Sequence, residues 1–338
     1  MAETTAISWA DATFNPWEGC TRISAACDNC YAAARAERFG NGHLWAGELR
    51  RTSTAYWRKP LKWNREAAAE RKPRRVFCAS LADVFDNQAP QAWRDDLWAL
   101  IEATPWLTWM LLTKRPQKIV GMVPPRWLIE PPRNVWYGAT IEHREALRQR
   151  LHHLRAVPAA LRFISAEPLL ESIAGTSMAL ALGDLSDGAL DLVHLVIAGG
   201  ESGRKARPSH PDWFRELRDL CAAMGAVFHF KQWGEWAPHP SGEPVTIQQY
   251  HAQIRYIDQA TGEQKRDCPK WPDATMRRIG TARAGRALDG VIHDAMPDMR
   301  QYYFGSGDCR ACGVDLAAPS ATGGAEGLCG PCYEELPF

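Results

Sequence analysis

The feature that most restricts the fold is a unit that recurs from residue 74 onward: a short β-branched or aromatic-rich stretch, one or two polar residues, then a stretch of helical spacing. The strand-like stretches are Arg75–Ser80, Leu107–Leu112, Asn134–Thr140, Leu161–Ser165, Leu192–Ala198 and Ala226–Lys231. Several are apolar throughout, as parallel strands covered on both faces must be. Between them Trp93–Thr104, His143–Ala156 and His210–Met224 have helical spacing, and Pro211 falls in a first turn, where its missing N–H costs nothing. Ala6–Trp9 reads as one further strand at the start. Alternation of this kind predicts an α/β fold with parallel order, and seven such strands suit an open or a closed barrel.

Catalytic groups of such barrels lie just beyond the C-terminal ends of the strands. Here those positions are polar: Ser80 and Asp83; Thr113, Lys114 and Arg115; Thr140 and Glu142; Ser165 and Glu167; Gly199 to Ser202; Lys231, Gln232 and Trp233. Gly199 and Gly200 let backbone N–H groups approach a ligand closely, and Glu201 can accept hydrogen bonds from an ammonium or a ribose hydroxyl.

The ten cysteines point to metal rather than to disulfides, because no export signal precedes them. Cys309-Arg-Ala-Cys312 and Cys329-Gly-Pro-Cys332, joined by a Gly-rich loop, predict a zinc ribbon with four thiolates around a closed, structural ion. Cys20, Cys27 and Cys30 form a set of three. Two chemistries suit them: a zinc site completed by His43, or a four-iron four-sulfur cluster with one iron left open for a non-protein ligand. Cys78, Cys221 and Cys268 are scattered and read as core thiols.

Composition adds bounds. With 46% hydrophobic and 23% charged residues the chain is expected to fold rather than stay disordered. No apolar run approaches the roughly 20 residues of a membrane-spanning helix, so the expectation is a cytoplasmic protein without a membrane partner, and a monomer. Net charge is +1, yet residues 1–75 carry 13 Lys/Arg against 8 Asp/Glu, a basic segment able to meet phosphates. Fifteen Trp supply apolar area for cores and flat faces on which bases stack. After Trp236 the alternation dissolves, and Ile254–Asp258 with Thr261-Gly262 reads as part of a hairpin. The expected division is 1–236 for the barrel and its cysteine loop, 237–305 for an extension that closes the barrel, and 306–338 for the ribbon.

Ile7-Ser-Trp9 through Asn15-Pro16, the Cys20/Cys27/Cys30 loop with Tyr31, Val196-Ile-Ala-Gly-Gly-Glu-Ser202, Lys231-Gln-Trp-Gly-Glu-Trp236 and Gly285-Arg-x-Leu-Asp-Gly290 together resemble the uncharacterised phage and bacterial three-Cys-motif family over roughly residues 5–295. That family is similar to radical S-adenosylmethionine enzymes. The resemblance implies a partial barrel of that type, a 4Fe-4S cluster on Cys20, Cys27 and Cys30, and S-adenosylmethionine as cofactor. It also implies an electron donor such as flavodoxin or ferredoxin and, for a phage-encoded chain, a place in the host cytoplasm. By the same resemblance Tyr31, Ser165, Glu167, Gly199, Gly200, Glu201 and Ser202 are cofactor-binding candidates, and Asp83, Glu142 and Lys231 are catalytic candidates. The implied reaction modifies or rearranges a nucleobase in DNA or a nucleoside, such as an amino-acid-decorated thymine. The competing expectation is a zinc-only nucleic-acid-binding protein with no reaction of its own.

Overall fold

The computed structural model describes residues 5–183, 192–240, 253–265 and 274–298. Its centre is a seven-stranded sheet in which every pairing is parallel and the strands lie in chain order. We label them β1 (Ala12–Phe14), β2 (Arg74–Cys78), β3 (Leu107–Thr113), β4 (Val135–Thr140), β5 (Leu161–Ala166), β6 (Leu195–Gly199) and β7 (Val227–Gln232). Strand order equal to chain order means that each crossover advances by one strand in the same sense. The sheet therefore curls into a half-barrel with β1 and β7 at its free edges.

The side-chain period of two explains why these strands read as unbroken apolar runs. On the outer face Trp109, Leu111, Val135, Tyr137, Ile164 and Val196 pack under the helices in the main core. On the inner face Phe77, Met110, Trp136, Phe163, Leu195 and Ile197 form a second core that fills the lower half of the barrel. Both sets are buried, so no alternation in polarity survives in the sequence.

Helix α1 (Tyr31–Arg38) follows the cysteine loop and lines the cavity described below with Tyr31, Ala32 and Arg35, and the remaining helices are α2 (Lys59–Ala69), α3 (Gln91–Glu102), α4 (Arg144–Arg155), α5 (Thr176–Leu182) and α6 (Pro211–Met224). Two of them start on histidine caps. His143 Nδ1 accepts from the Ala146 N–H at 2.9 Å, and His210 Nδ1 accepts from the Asp212 N–H at 3.1 Å, each satisfying a first-turn donor.

The expected first strand is displaced. Ala6–Trp9 is not extended; the Ala10 N–H turns back onto the Ile7 carbonyl, and β1 follows at Ala12–Phe14. The reason is Trp9. Its indole is buried against Phe77 and Phe163 inside the barrel, a position that a strand at the sheet edge does not offer.

Beyond β7 the chain forms an antiparallel sheet of β8 (Trp236–Pro238), β9 (Ile254–Ile257), β10 (Gln264–Lys265) and β11 (Ala274–Arg278), in the order β8-β11-β9-β10. The hairpin expected around Thr261-Gly262 is the β9–β10 pair. Residues 285–294 then run along the edge of β7. The Trp233 N–H meets the Gly285 carbonyl and the Phe230 N–H meets the His293 carbonyl, which satisfies donors that an open edge would leave bare. Asp289 locks this segment to α6 through Arg215 and Arg218. The zinc-ribbon cysteines Cys309, Cys312, Cys329 and Cys332, and Cys268, lie outside the described residues.

Candidate active site

A cavity of about 600 Å³ opens at the C-terminal end of the half-barrel, within the range of about 300–1,000 Å³ that encloses a small-molecule ligand. Trp9 and Phe77 of the inner core form part of its lining. Cys20, Cys27 and Cys30 all line it, and so do Tyr31, Asp83, Ser165, Glu167, Gly200, Glu201, Ser202 and Lys231. Residues far apart in sequence thus share one wall, because parallel strands deliver all their C-terminal ends to one side.

The cysteine loop enters from a short ladder of Trp17–Glu18 on Arg50–Arg51. Gly19 stands at φ +114°, and a Cβ there would lie 2.5 Å from the Glu48 carbonyl oxygen and 2.7 Å from that of Leu44. Glycine is what lets the chain cross this segment and present Cys20 to the cavity.

Two arginines hold the loop. Arg115, just past β3, donates to Asp83 at 3.0 Å and to the Thr21 carbonyl at 3.0 Å, pairs with Asp86 at 3.0 Å, and points Nη1 at Cys20 Sγ at 3.8 Å. Arg207 donates to Glu201 at 2.9 Å and to the Ala25 carbonyl at 2.9 Å, and reaches Asp28 at 3.5 Å. Asn29 of the loop also donates to Glu201, at 3.0 Å. Burial and the carboxylates of Asp83 and Asp86 push the Cys20 thiol up to about 12 against the opposing pull of Arg115, so an anionic sulfur at this place needs a further cation beside it.

The candidate residues separate in this geometry. Lys231 and Glu167 form an ion pair at 2.8 Å inside the cavity, and Ser165 Oγ donates to Glu167 at 3.3 Å. Ser202 Oγ accepts from Gln232 at 2.8 Å, and the Tyr31 hydroxyl donates to the Ser80 carbonyl at 2.6 Å. Asp83 lines the cavity but is saturated by Thr113, Lys114 N–H, Phe85 N–H and Arg115. Glu142 does not line the cavity: it is fully buried on Arg150 at 2.8 Å and accepts from the Ala26 N–H at 3.4 Å, so it supports the cysteine loop from behind. Glu201 reaches the cavity with its carboxylate already taken by Arg207 and Asn29, which corrects its reading as a free acceptor for an ammonium.

Gly199 ends β6, with Glu167 packed beside it; Gly200 has a different constraint. A Cβ on Gly200 would lie 1.9 Å from the Trp233 carbonyl oxygen, so its bareness serves the contact between two strand-end loops before it serves any ligand. Arg207 and Arg22 are residues that the sequence did not single out, and Asn15 entered only as part of a motif, without a role. Asn15 ties β1 to the loop after β2, with Oδ1 accepting the Leu81 N–H at 2.7 Å.

His43, offered by the sequence as a fourth ligand, does not line the cavity; its Nε2 lies 3.9 Å from Glu48. Among the described residues no three His, Cys, Asp or Glu side chains converge on a single-ion site. Cys20, Cys27 and Cys30 line one cavity, and three thiolates are the donor set that a cubic iron–sulfur cluster with one iron open to a non-protein ligand takes.

The family profile described as "Protein of unknown function (DUF5131)" matches residues 4–297. The chain belongs to this family. No curated protein matches it. Among solved structures it is similar to spore photoproduct lyase: to a form with bound AdoMet and dinucleoside spore photoproduct at 12% identity and TM-score 0.39, covering 80% of this chain and 68% of that one, and to a form with the dinucleoside at 10% identity and TM-score 0.40, covering 80% and 69%. Likeness at this level carries no chemistry from one chain to the other. No helix among the described residues is long and apolar enough to cross a membrane.

Proposed function

We propose that this DUF5131 protein is a radical S-adenosylmethionine enzyme that modifies or rearranges a nucleobase, in DNA or as a nucleoside, such as an amino-acid-decorated thymine. The observation that carries the reading is the meeting of Cys20, Cys27 and Cys30 with the strand-end groups Ser165, Glu167, Ser202 and Lys231 around one cavity. Cys20, Cys27 and Cys30 would hold the 4Fe-4S cluster. When bound, the cluster and S-adenosylmethionine supply one-electron cleavage of the sulfonium and hydrogen abstraction from the substrate.

The chain's own residues bind, orient and exclude water. Lys231 and Glu167 place a cation and an anion 2.8 Å apart on one wall, a match for the carboxylate and ammonium of an amino-acid group. Ser165 and Ser202 offer hydroxyls beside them. Trp9 and Phe77 line the same space with apolar rings and keep that part of it dry. Arg22, Arg35 and Lys114 also line the cavity and give it basic groups, suited to the phosphates that flank a base. Zinc would belong to Cys309, Cys312, Cys329 and Cys332, and an electron donor completes the set of partners.

The test is anaerobic incubation of the protein with S-adenosylmethionine and dithionite, followed by chromatography for 5′-deoxyadenosine. The reading predicts its formation, and its loss in Cys20→Ala, Cys27→Ala and Cys30→Ala. A protein that binds nucleic acid and zinc but releases no 5′-deoxyadenosine is the zinc-only binder instead.

A further inference from the structure

We infer that Arg115 is a positioning residue for the cluster: its guanidinium fixes the Cys20 arm of the loop between Asp83 and Asp86, and through the N–H aimed at the Cys20 sulfur it raises the potential at which the cluster takes up an electron. The inference rests on the radical S-adenosylmethionine reading above.

The two nitrogens at the tip of Arg115 have separate tasks. Nη1 reaches Asp83 at 3.0 Å and Cys20 Sγ at 3.8 Å. Nη2 reaches Asp86 at 3.0 Å and both oxygens of Thr21, the carbonyl at 3.0 Å and the hydroxyl at 2.6 Å. Thr21 closes the ring, since its N–H and hydroxyl both donate to Asp86, at 3.2 and 3.1 Å. The residue that follows the first cysteine is therefore held by a planar fork whose far side is anchored on two buried carboxylates. Arg115 shows only 7% of its side chain to solvent, Asp83 7% and Asp86 2%. Cys27 contrasts with this: its sulfur faces the neutral Ser24 hydroxyl at 4.0 Å.

Reduction adds negative charge to a cluster and to its ligating sulfurs. A cation and an N–H donor at one sulfur stabilise that charge and raise the potential, while Asp83 and Asp86 behind the arginine act the other way. Lysine keeps the charge but not the fork, so it replaces Arg115 in part.

The test uses the full chain, reconstituted anaerobically with iron and sulfide and without S-adenosylmethionine or substrate, and reads iron content and the midpoint potential by electron paramagnetic resonance. Arg115→Gln is expected to lower the potential by at least 59 mV, a tenfold change in the one-electron equilibrium. Arg115→Lys should recover part of the loss. Asp83→Asn, which leaves the arginine at Cys20 and removes an anion, should shift the potential upward. It covers the case in which the glutamine variant takes up no iron. Wild-type potential in an iron-loaded Arg115→Gln protein overturns the inference, as does an unchanged potential in Asp83→Asn. Absence of iron from the wild type overturns the parent reading and this one with it, and it is recognised before any variant is made.

Discussion

At the residue scale, the contacts that hold the site are charge pairs between positions remote in sequence. Arg115 lies 95 positions from Cys20, and Arg207 lies 182 from Ala25. Sequence reading located the strand-end polar groups because parallel topology fixes where they must be, and the structure brings Cys20, Cys27 and Cys30 to line the same cavity. It did not reveal which carboxylates are spent on arginines. Glu142 and Glu201 look alike in sequence to Glu167, yet Arg150 occupies the first and Arg207 the second, while Glu167 pairs with Lys231 inside the cavity. Gly200 shows the same limit. Its sequence context suggests ligand approach, and the structure shows a backbone contact. Gly200→Ala is expected to destabilise the fold by about 1–3 kcal/mol or more, the usual cost of overpacking, because a carbonyl of the main chain cannot swing aside as a side chain can. Urea denaturation measures this, and an unchanged midpoint would return the glycine to a ligand role.

At the element scale, β3 to β7 were legible because strands buried on both faces leave continuous apolar runs bounded by polar residues, and the observed ends differ by a few positions at most. β1 was not, since a three-residue strand carries almost no periodic signal and the aromatic Trp9 nearby imitates one. The entry to β6 makes a pH prediction. His194 Nδ1 accepts from the Arg162 N–H at 3.3 Å. Burial, and next the Arg162 charge, lower its pKa to about 4. The folded value lies below the unfolded one of about 6.5, so the unfolded chain takes up the proton first. Stability from this group is complete above pH 6.5 and drains as pH falls toward 4, by up to about 3 kcal/mol at about 1.4 kcal/mol per unit. Thermal melting of the wild type between pH 7.5 and 4.5 should show this loss. His194→Asn keeps an acceptor for Arg162 and removes the titration, and its melting temperature should fall less over the same range; parallel curves would refute the assignment.

At the scale of the whole molecule, an open half-barrel concentrates every strand end on one side and leaves two edges to be managed. Residues 285–294 manage the β7 edge, and the inner core of Trp9, Phe77, Trp136 and Phe163 plugs the lower half so that the upper half remains a closed-bottomed cavity. Fold and site thus follow from one arrangement, with the cysteine loop lining the same cavity as the strand ends. The most direct measurement of the central claim is metal and sulfide analysis of the full chain purified without oxygen, beside a Cys20→Ala, Cys27→Ala, Cys30→Ala triple variant. The account predicts about four iron and about four sulfide per wild-type chain, as a cubane cluster requires, lost together in the variant while zinc held by the C-terminal cysteines stays. Iron-free wild-type protein, with zinc that falls when Cys20, Cys27 and Cys30 are replaced, would contradict it.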